Sequence, residues 1–211
     1  MKSAIMIVTV LCALHGLAEA ADYRVVPERS ELIVQLYKSG IASAFAHNHV
    51  IRATEFSGEA QFSPDDPSHS SIQLEVNAAS LKADEPELRQ KYGLTKKLSD
   101  ADRDEIQQTM ESPRQMDVQR YPTITFQSTD VREESENRFL ITGDLTMHGV
   151  TRAVTVPATI ETHDNGDIRG RASFAFKQSD FGIEPFSAFF GAVKNQDEAV
   201  MRMDITVTPQ D

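Results

Sequence analysis

Residues 139–160 read FLITGDLTMHGVTRAVTVPATI, and their alternation decides the fold class. Phe139, Ile141 and Gly143 fall on one face of an extended segment; Val154, Val156 and Ala158 fall on one face of the next. Successive side chains of a strand point to opposite faces, so each segment is a half-buried strand. His148 and Gly149 lie between them, where a tight hairpin wants positive φ. The pair reads as an antiparallel β-hairpin.

The same period of two runs outward through most of the chain. Leu32, Val34 and Leu36 share a face, as do Phe56, Gly58, Ala60 and Phe62. Ile72, Leu74 and Val76 alternate with polar residues, and so do Ile124 and Phe126. Ala172, Phe174 and Phe176 follow Asp164-Asn165-Gly166, a hairpin signal of the type I′ kind. Met201, Met203, Ile205 and Val207 close the chain. Apolar-in, polar-out strands in series would leave exposed edges in an open sheet; closure removes them. The expected fold is mainly β, an antiparallel barrel of about eight strands.

Residues 84–120 break this pattern. They are rich in charge and their apolar residues recur near every 3.6 positions. Ser99 with Asp102 predicts a capped helix carrying Ile106 and Met110 on one face. Ser112-Pro113 predicts a second helix start with proline at its first position. Tyr121-Pro122 returns the chain to strand. The segment 84–97 is longer than a connection requires and is expected to form a partly helical lobe. The whole insertion is expected to cover one end of the barrel.

Residues 1–20 are expected to be a signal peptide rather than part of the fold. Lys2 precedes an apolar run from Ala4 to Leu14, and Ala18-Glu19-Ala20 is a small-x-small cleavage site. The run is short of the roughly 20 apolar residues that span a bilayer. Cys12, the one cysteine, lies inside it and follows Leu11, not the small residue a lipid anchor needs. From Ala21 on there is no thiolate to hold zinc or an iron–sulfur cluster, and a domain of this length needs no disulfide. Residues 21–211 are expected to be one domain, periplasmic or secreted. The net charge of −11 opposes binding to nucleic acid.

Several separated stretches carry a family resemblance. Gly143-Asp-Leu-Thr-Met-His-Gly-Val-Thr-Arg152 resembles the second-half hairpin of the YceI-like family of periplasmic lipid-binding proteins. Tyr23 to Leu32 resembles that family's opening strand, although Val26-Pro27 stands where Asp-Pro is usual. Phe56-Ser-Gly58 with Ala60-Gln-Phe62, Arg120-Tyr-Pro-Thr-Ile-Thr-Phe-Gln-Ser128 and Ser179-Asp-Phe-Gly-Ile183 match further motifs in order. The resemblance covers nearly all of the chain after Ala20. It implies a lipocalin-like barrel with a long apolar cavity and a polyisoprenoid, isoprenoid quinone or fatty amphiphile as ligand. It brings no catalytic residues and no obligatory cofactor; a bound isoprenoid lipid or quinone is the one small molecule it suggests.

Phe45-Ala-His-Asn-His49 is the stretch with most capacity for polar chemistry. If it is a strand, Phe45, His47 and His49 share a face, and a Phe45 that faces the cavity brings both imidazoles with it. They could then hydrogen-bond a quinone carbonyl or a phosphate head group, or hold a metal, although no third ligand is visible by spacing. The plain reading leaves them as turn caps or solvated groups. The chain has 11 Phe and no Trp. Phe126, Phe174 and Phe176 are expected to face inward and meet the ligand, with Phe181 and Phe186 as part of the cavity's lip. No catalytic triad, phosphate loop or paired-carboxylate motif is found.

The expected function is therefore a carrier that sequesters a long apolar ligand. Its partners would be that lipid and, in transit, a membrane or membrane protein; a dimer is as compatible with the sequence as a monomer. The rival is a redox or enzymatic accessory using His47 and His49 on a bound quinone or metal.

Overall fold

Alternation of apolar and polar residues produces twelve strand segments among the described residues of a computed structural model, which cover 21–44, 46–64 and 66–210. The expected leader, residues 1–20, lies outside them. The segments are β1 (Ala21–Val25), β2 (Glu31–Ser39), β3 (His49–Ala53), β4 (Phe56–Phe62), β5 (Ser71–Asn77) and β6 (Leu81–Ala83). After helices α1 (Pro86–Lys91) and α2 (Asp100–Glu111) come β7 (Thr123–Ser135), β8 (Arg138–Met147), β9 (Val150–Thr162) and β10 (Ile168–Lys177). The two-residue β11 (Ser187–Ala188) and the long β12 (Val193–Pro209) finish the chain.

The order is β1-β4-β5-β7-β8-β9-β10-β12, and β12 pairs back onto β1, which closes the ring. All pairings are antiparallel. The remaining short strands lengthen this ring. β1 and β2 lie end to end along β12, which pairs Val25 with Val207 and Val34 with Met201. β3 continues β4, and β6 continues β5, so an eight-stranded barrel accounts for nearly every segment. The breaks have local causes. Pro27 opens a single 3₁₀ turn after β1, and the Asn77 side chain accepts from the Ala79 N–H to start another after β5.

The 139–160 hairpin forms in the expected register, with Phe139 opposite Ala158, Ile141 opposite Val156 and Gly143 opposite Val154. His148 and Gly149 both have positive φ, +52° and +73°, as a type I′ turn demands. Gly143 is required for another reason. The Phe126 ring crosses it so closely that a Cβ there would lie 2.5 Å from Phe126 Cζ. The 164–166 turn differs from expectation. It spans His163 to Asp167, and of Asn165 and Gly166 only the glycine has positive φ, so it is not type I′.

Helix α2 begins at the expected capping box. Ser99 Oγ accepts from the Asp102 N–H, and the Asp102 carboxylate accepts from the Ser99 N–H. The second helix expected at Ser112 is absent. Ser112 instead caps the C-terminus of α2, donating its hydroxyl to the Thr109 carbonyl, and turns follow. Asp117 stands at φ +44°, in the left-handed region, where a right-handed helix cannot continue.

Helix α2 closes a seam. β6 pairs with β3 on one edge and with no strand on the other. The Gln107 side chain occupies that edge: its oxygen accepts from the Ala83 N–H at 2.9 Å and its nitrogen donates to the Leu81 carbonyl at 2.7 Å. One amide side chain thus satisfies the two groups a neighbouring strand would have satisfied. Helix α1, expected over the mouth, packs on the flank instead. Its Leu88 joins Ile33 and Val50, which lie on the faces of β2 and β3 opposite to Val34 and Ile51.

Candidate functional site

The inward faces enclose an apolar cavity of about 240 Å³. On β10 its lining takes every second residue, Ile168, Gly170, Ala172, Phe174 and Phe176; on β12 it takes Met201, Met203, Ile205 and Val207. At a rise of about 3.3 Å per residue, the stretch from Ile168 to Phe176 runs about 26 Å along the strand, which at the usual barrel tilt of about 35–45° is about 20 Å along the axis. Phe126 and Leu145 cross its middle, and Ile51, Ile72, Ile124 and Ile141 add wall. Met110 of α2 and Met116 after it reach the lining at the end where β10 finishes, so the insertion does cover one end.

Many inward side chains, Phe126, Phe174, Phe176, Ile141 and Met203 among them, are only partly buried. Their free surface faces the cavity. A core designed to be filled by its own side chains would bury them. Polar lining gathers at the two ends. Gln61, Ser70 and Ser71 stand near the start of β10, and Gln115 and Gln178 near its finish; Thr125 is the remaining polar contributor. Gln178 is fixed by donating to the Gln196 carbonyl at 2.8 Å, and Gln115 by donating to the Glu184 carbonyl at 2.8 Å.

The aromatic residues named from sequence divide three ways. Phe126, Phe174 and Phe176 line the cavity. Phe181 does not: it is 1 % exposed, packed edge-on against Phe176 with centroids 5.8 Å apart, and supports the wall from behind. Phe186, expected at the cavity's lip, is partly exposed and does not line the cavity. Phe45 lies outside the described residues. Sequence reading missed the contribution of Gln115 and Met116, which sit in irregular turns with no periodicity to mark them.

The histidines are a correction. β3 starts at His49, so His47 lies in the irregular segment before it and the shared strand face does not exist. Neither lines the cavity. The His49 Nδ1–H donates to Asp84 at 2.6 Å. Asp84 is fully buried and also accepts from the Arg89 guanidinium at 2.7 Å and the Val50 N–H at 3.2 Å. Arg89 donates onward to the Asn48 and Lys96 carbonyls. Burial alone would raise the Asp84 pKa, but the His49 and Arg89 bonds and charges outweigh it and hold the carboxyl below its ordinary value. The network fastens β3, β6 and α1 together. His47, with its ring centroid 6.3 Å from that of His49, has its pKa lowered, first by burial and then by the positive charge of Lys96, His49 and Arg89. Among the described residues no cluster of three or more His, Cys, Asp or Glu is arranged to hold a metal.

The comparisons with known proteins agree with this architecture. The model of the YceI-like domain matches residues 23–207. A UPF0312 protein of Pseudomonas putida (strain GB-1) is 31% identical over 174 residues, 80% of each chain. A UPF0312 protein of Pseudomonas syringae pv. tomato is 30% identical over the same span. Among solved structures, Burkholderia cenocepacia BcnA superposes with a TM-score of 0.67 at 18% identity, over 87% of this chain and 99% of that one. A polyisoprenoid binding domain from Saccharophagus degradans gives 0.60 at 11% identity, over 91% and 100%. At such identities the two structures speak for the fold, a lipocalin-like closed barrel. With the barrel, its register and the family match in hand, this chain belongs to the YceI-like family.

Proposed function

We propose that this protein is a periplasmic or secreted carrier that encloses one long-chain apolar ligand, a polyisoprenoid, an isoprenoid quinone or a fatty amphiphile, along the barrel axis. The observation that carries this reading is the cavity itself: about 240 Å³ of apolar space bounded by side chains that leave it unfilled. Each CH₂ moved from water into it contributes about 0.8 kcal/mol. Even a short part of a prenyl chain therefore offsets much of the cost of immobilising the ligand. The polar residues at the two ends support a ligand with a polar head near an opening and a hydrocarbon tail between. The Saccharophagus degradans neighbour, described as polyisoprenoid binding, favours the isoprenoid class. The alternative role of His47 and His49 on a quinone finds no support in their position, since His49 is committed to Asp84.

The test is titration with a fluorescent long-chain probe. Phe174→Arg places a charge midway along the cavity and is expected to abolish saturable binding while the far-ultraviolet spectrum stays that of a β protein. Undiminished affinity in a folded Phe174→Arg variant would refute the cavity as the site. Export is tested by intact mass: the exported chain is expected to begin at Ala21, and retention of residues 1–20 would refute the leader.

A further inference from the structure

Two loops at one end of the barrel expose large apolar side chains to solvent. Ile41 is 98 % exposed, Phe189 78 % and Phe190 wholly so, with Phe186 partly exposed beside them. The segments 40–44 after β2 and 178–192 between β10 and β12 are fastened into a single tip. Ser39 pairs with Lys194, and the Ala42 N–H donates to the Ala192 carbonyl at 2.9 Å. Gly40 passes so near that a Cβ there would lie 2.5 Å from the Ala192 oxygen. Phe189 and Phe190 both adopt left-handed backbone, φ +50° and +55°, an uncommon conformation for residues with bulky side chains. The fold thus holds, at a cost, a turn whose two rings point out of the protein.

We propose that this tip is a membrane anchor that seats the end of the cavity on a bilayer surface, where a water-insoluble ligand enters or leaves; the proposal rests on the carrier reading. Three observations choose a bilayer as the occupant. The rings of Phe189 and Phe190 project singly into solvent, whereas a protein partner is met by a closely packed, shape-matched patch. Its charge departs from that of the rest: in a chain of net charge −11, residues 32–54 and the ring-bearing part of the second loop, 185–196, contain no Asp or Glu and carry Lys38 and Lys194 at the bases of the loops, while Asp180 and Glu184 lie in the earlier part of that loop. That combination of apolar tip and basic base suits phosphate-bearing head groups over acyl chains; a second copy on the same tip is an outcome that the test separates. Finally, the 178–192 loop also supplies Gln178 and Ile183 to the cavity lining, so the segment that carries the rings walls the cavity's end.

The absence of Trp from the chain provides a reporter. Phe190→Trp introduces a single indole at the tip. On adding vesicles of phosphatidylcholine and phosphatidylglycerol its emission is expected to move to shorter wavelength, and brominated acyl chains are expected to quench it. In Phe189→Asn/Phe190→Asn, asparagine tolerates the left-handed backbone while both rings are lost. That variant is expected to sediment with the same vesicles about a hundredfold less, with the same N-terminus in all forms. Its affinity for a soluble long-chain probe is expected to match the parent's, because neither ring lines the cavity. Unchanged emission with vesicles, equal sedimentation of the Asn variant, or a blue shift that grows with protein concentration in the absence of lipid would each overturn the anchor. Loss of probe binding by the parent with vesicle binding intact would sink the carrier reading alone.

Discussion

Replacing Gln107 with Leu removes the seam between β6 and α2 while nearly preserving side-chain volume. Two groups lose their partners, the Ala83 N–H and the Leu81 carbonyl, in residues that are 7 % and 8 % exposed. Each orphaned buried polar group costs about 1–3 kcal/mol. The apolar contact that leucine gains offsets about 1 kcal/mol. The net loss centres on about 3 kcal/mol, a large share of the roughly 5–15 kcal/mol that holds a domain together. Equilibrium unfolding in urea measures it as a lower midpoint. Leu81 and Met110 flank the seam and line the cavity, so probe affinity is expected to fall as well. Gln107→Glu sharpens the test. Its carboxylate can accept from Ala83 but cannot donate to Leu81, and it faces Glu111, which accepts from Gln107 at 2.6 Å in the parent. Protonation restores the donor, so this variant is expected to gain stability relative to the parent as pH falls. A Gln107→Leu protein within about 0.5 kcal/mol of the parent would refute the role given to the helix.

Two further outcomes follow from burial and charge. Phe181→Ala empties a fully packed site and is expected to cost about 3–5 kcal/mol, whereas Phe174→Ala, which already borders a void, is expected to cost about half as much; equal losses in thermal or urea unfolding would contradict the cavity. The folded pKa of Asp84 is lowered, so its contribution is present above the unfolded carboxylate value of about 3.9 and is lost as pH falls through the lower folded one. The folded pKa of His47 is lowered too, so stability also declines as pH falls below about 6.5 toward that folded value. Asp84→Asn is expected to flatten the acid limb below pH 4 and leave the His47 slope; a parent whose stability does not change between pH 7 and pH 3 would contradict both.

The parts of the fold legible from sequence were those set by local rules. Period-two alternation placed Leu32, Phe126, Phe174 and Met203 inward, and the structure puts all of them on the cavity wall. The Ser99 capping box and the His148-Gly149 turn were legible because cap and turn chemistry is local. The Phe45–His49 stretch misled because the same alternation was extended across residues 45–51, while the chain is still turning at 41–44 and β3 starts only at His49. What fixes His49 is Asp84, distant in sequence and held at φ +56°, and no periodicity reveals such a pair. Gln107 was hidden for the same reason: its role depends on an edge created by a break after Asn77. The class of ligand came from the motif resemblance alone, since burial patterns report an apolar interior without saying what occupies it.

The central claim is that a long apolar molecule occupies the barrel. Organic extraction of protein purified from its native compartment, followed by mass spectrometry, tests it most directly. The account predicts a single class of long-chain lipid, near one molecule per chain in the parent and absent from Phe174→Arg. Lipid-free parent protein that also fails to take up isoprenoid or fatty chains in solution, or equal lipid in both forms, would contradict it.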